Sequence, residues 1–420
     1  MAWARWGVLL VPAILYFLSY FHRVAPAVVA GDLMAAFAVS AATLGALAAI
    51  YPYCFAAMAL PGGSLADLLG PRRTLTLGGL SMSVGSVLFG MAPGFGVAFA
   101  GRLLVGLGAS VILIAGLRLA AEWFRTEEFG TVAGAAQSVG SLGAIAGTTP
   151  LALLVELVGW RQGFVTIGAL TALLAAACFV TVRDRPGTPA AHLRPDEPGL
   201  REIVAGIPSV ILNPRSWTVG LISGGIYGGF AAFVGLWGVP YLTQVYELPR
   251  VRAANLVGLA ALGLLVGAPL LGWLSDRLRR RRLPLIVVSG ANVVTWIALV
   301  APATPIAPEF LPLICFLIGL GSSVVVLVFA AIREVNDPRY VGVALGFHNL
   351  PTFLSFGLMQ WVTGLVLDHH WDGALAAGAR VYGADAYRAA FALCLALAAG
   401  SFLSACLAPE TRGRNIWSPA

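Results

Sequence analysis

The chain has 420 residues, 59% of them apolar, and only 11% are Asp, Glu, Lys or Arg. A soluble protein is roughly 25% charged, so a water-exposed globule of this size is excluded. All 26 basic residues are arginine. Without a lysine the chain has no phosphate-loop route to ATP hydrolysis and no Schiff-base chemistry.

A helix needs about 20 apolar residues to cross a bilayer. The first such run is 7–29. No small-residue cleavage site follows it, so it reads as a span rather than a removed leader. It carries Arg23, and an arginine in a span costs about 2.5–3.5 kcal/mol on insertion scales. Tyr20 at i−3 and Tyr16 at i−7 share its helical face. A planar donor fork beside two phenols suits an anion. His22, next in line, is the residue type that titrates near neutral pH and can carry a coupling proton.

The second run, 41–63, ends in Gly63-x-x-x-Asp67-x-x-Gly70-x-Arg72-Arg73. Runs 73–92 and 97–121 follow. The latter holds Arg102 and Arg118, and Glu122 four residues after Arg118 predicts an ion pair within the helix. Run 129–156 carries Gln137 among Gly134, Gly140, Gly143 and Gly147, small residues that let helices approach closely. After run 162–182 comes a proline-rich polar stretch, which divides the chain into a first bundle (1–186), a linker (187–214) and a second bundle (215–420). Within the linker, 200–212 is mildly amphipathic, as in a surface-lying helix.

The second half offers runs 216–245, 252–274, 284–303, 309–332, 341–367 and 387–408. Tyr227, Trp237 and Tyr241 are candidate cavity residues on the first of these. His348, Asn349 and Gln360 lie on the fifth, the last two eleven residues apart and so on one face. After run 252–274 stands Gly272-x-x-x-Asp276-Arg277, whose aspartate lies 209 residues after Asp67, almost half the chain. A half-length repeat of six spans points to a two-bundle transporter.

Twelve spans put both termini on one side. With that side cytoplasmic, 18 of the 26 arginines fall in inside loops, five in outside loops and three within spans. This obeys the positive-inside rule. The arginine excess thus sets orientation and does not signal nucleic acid. The five cysteines all lie in apolar runs and read as small hydrophobes.

On these motifs the chain resembles the major facilitator superfamily over essentially its whole length. The Gly63 to Arg73 segment is similar to the family's loop 2–3 signature, departing from it at Leu68. Arg102-x-x-x-Gly106-x-Gly108 is similar to its second motif, and Trp123-Phe124 through Gly130 to a loop 4–5 pattern. The resemblance implies an all-α integral membrane fold: twelve transmembrane helices in two pseudo-symmetric six-helix bundles, moving a solute by alternating access. It also implies that Asp67 meets the start of span 11 near Val341, that Arg72 or Arg73 pairs with Glu122, and that Asp276 meets the start of span 5 near Phe129. Gly63, Asp67, Arg72, Arg73, Arg118, Glu122, Asp276 and Arg277 form the expected gating set.

The Tyr20-Phe21-His22-Arg23 segment looks like the first helix of organic-anion and organophosphate proton symporters, where the arginine contacts substrate. Gln137 matches a substrate-facing polar position. His22, Arg102 and His348 are the proton-coupling candidates. The seventh span has no mid-span arginine, which favours a carboxylate-like monoanion over a doubly charged phosphate ester. The expectation is a proton-coupled symporter of a small organic anion. It would be monomeric in the cytoplasmic (inner) membrane, with no enzymatic activity, no cofactor or metal, and no nucleic-acid partner. An exporter of hydrophobic compounds, a carrier of peptides or amino acids, and a transporter-like ligand receptor remain the alternatives.

Overall fold

The computed structural model describes residues 2–59, 61–184 and 200–418. Helices follow in the order α1 (Ala2–Phe37), α2 (Ala41–Ala57), α3 (Pro61–Leu69), α4 (Pro71–Gly90), α5 (Phe95–Trp123), α6 (Thr126–Ala146), α7 (Thr149–Thr181), α8 (Leu200–Ile211) and α9 (Pro214–Ala232). A π-helical turn, Phe233–Trp237, leads into α10 (Gly238–Val245). Then come α11 (Arg250–Leu278), α12 (Arg282–Val300), α13 (Leu311–Ser322), α14 (Val324–Glu334), α15 (Val341–His369) and α16 (Ala384–Leu407). Helices cover most of each of the twelve apolar runs among the described residues, and nine helical stretches there are long and apolar enough to cross a membrane.

Several details depart from the sequence expectation. Run 129–156 is two pieces: α6 stops at Ala146, and Pro150 in the first turn of α7 starts a new helix. The turn into the next run falls inside α7 at Gly159, whose φ of 78° suits glycine alone. The π turn interrupts run 216–245. Finally, a two-stranded hairpin, Leu375–Ala376 with Ala379–Arg380, follows α15. The amphipathic linker segment is α8, while linker residues 187–199 lie outside the described residues.

The chain groups into two compact units, Met1–Ala25 with Tyr53–Pro198, and Pro26–Pro52 with Gly199–Ala420. In the first unit, glycines set the helix spacing. A Cβ on Gly108 would stand 2.3 Å from the Gly78 carbonyl oxygen, and one on Gly85 2.5 Å from that of Gly101, so α4 and α5 touch backbone to backbone. Hydroxyls tie α4 to α7: Ser83 donates to the Gly168 carbonyl and Ser86 to that of Phe164, both at 2.8 Å. Such bonds satisfy polar groups where lipid offers none.

In the second unit, Asp368 near the end of α15 caps the start of α2. Its carboxylate accepts the backbone N–H groups of Ala41 (3.0 Å) and Ala42 (2.8 Å), the Tyr382 hydroxyl (2.8 Å) and Nη1 of Arg380 (3.0 Å). An aspartate at a helix N-terminus satisfies free donors and faces the positive end of the dipole. Asp368→Ala is expected to cost about 1–3 kcal/mol, read as a lowered thermal unfolding midpoint, with Asp368→Asn falling between it and the wild type.

Candidate functional site

In the first unit, α1 and α6 build one polar cluster. Tyr16, Tyr20 and Arg23 recur along one face of α1. The Arg23 guanidinium carbon lies 4.0 Å from the centroid of the Tyr20 ring and 5.2 Å from that of Phe55. This places the cation over aromatic faces, which attract it. Gln137 reaches across from α6: its amide donates to the Tyr20 hydroxyl at 3.2 Å, and its carbonyl accepts from the Tyr16 hydroxyl at 3.5 Å. The two tyrosine rings meet edge to face at 5.0 Å. Arg23 is only 6% exposed, Tyr16 3% and Tyr20 8%, so the group lies within the protein rather than at its rim.

Glycines seat this cluster. A Cβ on Gly140 would come within 2.9 Å of the Tyr16 ring and 3.1 Å of the Tyr20 ring. On Gly143 it would stand 2.1 Å from the Phe17 carbonyl oxygen, and on Gly147 2.7 Å from that of Phe21. Three of the four glycines read as a packing seam thus face α1; Gly134 has nothing within 4 Å and stands outside it.

The coupling candidates take different places. Arg102 donates from Nη1 to the backbone carbonyl of His22 at 2.6 Å, binding α5 to α1 one residue before Arg23. The His22 ring is 1% exposed and lies near Phe21 and Phe164, at 5.6 and 6.0 Å. Neither of its nitrogens has a hydrogen-bond partner among the described residues. In the second unit, Nδ1 of His348 lies 3.1 Å from the Ser223 hydroxyl, and its ring packs against Phe329 at 4.6 Å.

The other second-half candidates are dispersed. Trp237 ends the π turn, and its indole N–H donates to the Gln360 carbonyl at 3.3 Å. Gln360 is 1% exposed, and its side-chain oxygen has no hydrogen-bond partner among the described residues. Tyr227 packs with Phe230 and Phe356. Tyr241 stacks with Tyr387 and Phe391, and its hydroxyl meets that of Tyr246 at 3.3 Å. Asn349 is half-buried.

Among the residues expected to gate, Arg118 and Glu122 form an ion pair at 3.8 Å, as the spacing predicts. The expected partner of Arg72 is corrected. Its Nε donates to the Phe179 carbonyl at 2.6 Å, its guanidinium covers the Phe179 ring at 4.3 Å, and its backbone N–H donates to Asp184 at 2.7 Å. The cause is local: Gly70 turns the chain with φ 80°, and the first turn of α4 is then capped by Asp184 just past α7. Arg73 is exposed. The side chains of Gly63, Asp67 and Phe129 lie outside the described residues.

Asp276 pairs with Arg281 at 2.6 Å, and Arg281 in turn pairs with Glu334 at 3.1 Å. Arg277 stacks over Trp273 at 5.4 Å. Glu410 accepts the backbone N–H groups of Arg281 (2.8 Å) and Arg282 (3.2 Å), and Glu334 accepts the Thr411 hydroxyl. Burial raises the Glu410 carboxyl pKa, but its backbone N–H donors outweigh that and hold it below its ordinary value. Sequence reading missed Asp184, Arg281, Glu334 and Glu410. A repeat of motif charges was its signal for this end of the second half; Arg281 lies five residues past Asp276, while Glu334 ends α14 and Glu410 follows α16.

The family model of the Major Facilitator Superfamily matches residues 13–359. The chain belongs to the Major Facilitator Superfamily. This facilitator is therefore a multi-pass membrane transporter by family and not an enzyme. It is 28% identical over 319 residues to a probable sulfoacetate transporter, SauU, of Cupriavidus necator, covering 72% of each chain. It is 27% identical over 395 residues to the membrane sensor protein UhpC of Salmonella typhimurium, covering 86% of this chain and 87% of that one. Among solved structures, its fold matches an inward-facing, unoccupied bacterial homologue of the human lysosomal transporter Spinster. The TM-score is 0.77 and the identity 17%, over 99% of both chains.

Proposed function

We propose that this facilitator carries a small organic anion, carboxylate-like and singly charged, by proton-coupled symport across a cytoplasmic membrane with both termini inside. The observation that carries the reading is the Arg23 cluster: a guanidinium over Tyr20, with Gln137 spanning both tyrosine hydroxyls. A buried arginine fork supplies parallel donors to a planar anion, and the phenols and amide add orienting hydrogen bonds. The similarity to a probable sulfoacetate transporter supports an organic anion. The Asp67 and Asp276 motifs are the proposed gates.

His22 is the proposed proton carrier, because histidine is the side-chain type that titrates near neutral pH and it directly precedes the proposed substrate arginine on α1. The similarity to a membrane sensor favours one second reading, in which the same site binds an anion without moving it. Proteoliposomes under an imposed pH gradient separate these. Acid outside should drive accumulation of a bound carboxylate or sulfonate several-fold, and His22→Gln should leave downhill exchange while abolishing accumulation. Flux indifferent to pH contradicts the coupling, and binding with no flux at all selects the sensor.

A further inference from the structure

Directly below the Arg23 cluster lies a cavity of about 270 Å³ between α1, α5 and α6. Tyr16 lines it at one end and Trp6 at the other; Leu9, Ala13, Leu113 and Val139 are typical of its walls. Among the described residues, none that lines it carries a charge. We infer that this cavity takes the apolar body of the transported anion, so that the substrate is an amphiphilic monoanion: charged at one end for Arg23 and aliphatic or aromatic at the other. The inference rests on the Arg23 reading and extends it.

Continuity between the two sites decides the occupant. Leu9, Ala13, Tyr16, Tyr20 and Arg23 recur at spacings of three and four, one stripe along α1. The guanidinium folds back over the Tyr20 ring, so it already stands near the level of that residue. From Tyr20 to Tyr16 is four residues, or about 6 Å of helix. A headgroup held by Arg23 therefore needs only a short stem to enter the cavity past Tyr16. At roughly 30 Å³ per water, the volume equals about nine water molecules. The polar side-chain atoms among the described lining residues are the Tyr16 hydroxyl, which is turned to Gln137, and the Trp6 indole N–H at the far end. Gly116 leaves this space open, since a Cβ there would meet nothing within 4 Å.

The test is a chain-length series, acetate through decanoate, titrated against the full chain in nanodiscs. Beyond butyrate, affinity is expected to rise about three- to fourfold per methylene until the cavity is full. Gly116→Leu should flatten that rise while still binding butyrate as the wild type does, which also shows that it folds. Arg23→Gln should weaken every member by a similar factor. A flat series with Arg23-dependent binding overturns the amphiphile inference and leaves the anion reading standing. If octanamide binds as tightly as octanoate, and Arg23→Gln leaves the affinity of every member unchanged, the cavity is a lipid groove and the inference fails. If no carboxylate of any length binds, the anion reading falls and takes the inference with it.

Discussion

Gly143→Val is expected to leave almost no folded protein. The seam that seats α1 on α6 is backbone against side-chain-free backbone at this point. A Cβ at Gly143 would meet the Phe17 carbonyl oxygen at 2.1 Å, its carbonyl carbon at 2.8 Å and its Cα at 2.9 Å. None of these atoms belongs to a flexible side chain that can swing away. The two helices would have to separate along the whole contact, because Gly140 and Gly147 bear on the same helix. Overpacking a tight core costs about 1–3 kcal/mol where neighbours can relax, and here they cannot. In lipid, close approach is itself the main source of helix association. The expected readout is loss of the monodisperse peak in detergent extracts. Gly134→Val, on the same helix but with open space around it, serves as the control that extracts normally.

Arg23→Lys is expected to cut transport sharply while leaving the fold intact. The substitution keeps the charge but removes the planar fork and the stacking surface over Tyr20 and Phe55. Hydrogen bonds to charged groups contribute about 1.5–3 kcal/mol, so losing one arm of a bidentate contact should weaken substrate binding about 10- to 100-fold. In proteoliposomes this appears as a raised KM for uptake with little change in the thermal midpoint. Undiminished uptake by Arg23→Lys would remove the arginine from the site.

Much of the first-half site was legible because a helix converts spacing into direction. Tyr16, Tyr20 and Arg23 share a face by period alone, and the structure gathers them with Gln137. The ion pair of Arg118 with Glu122 follows from the same rule. Contacts made by backbone or by distant loops leave no such period. The Arg102 bond goes to a main-chain oxygen 80 residues away. Arg72 was misassigned because a left-handed turn at Gly70 and a carboxylate past α7 decide its direction. Asp368 sits one residue beyond the expected end of run 341–367, and its role exists only where α2 begins, 327 residues earlier. The π turn at Phe233–Trp237 is one for which apolar periodicity carries no mark.

Binding of an organic anion by Arg23 can be measured by parallel calorimetric titration. Wild-type protein and Arg23→Gln would each be titrated with a panel of carboxylates, sulfonates and the matching neutral amides. At least one anion is expected to bind the wild type, its amide to bind far more weakly, and Arg23→Gln to lose about 10- to 100-fold in affinity for the anion alone. An anion that binds Arg23→Gln as tightly as the wild type would contradict that role for Arg23.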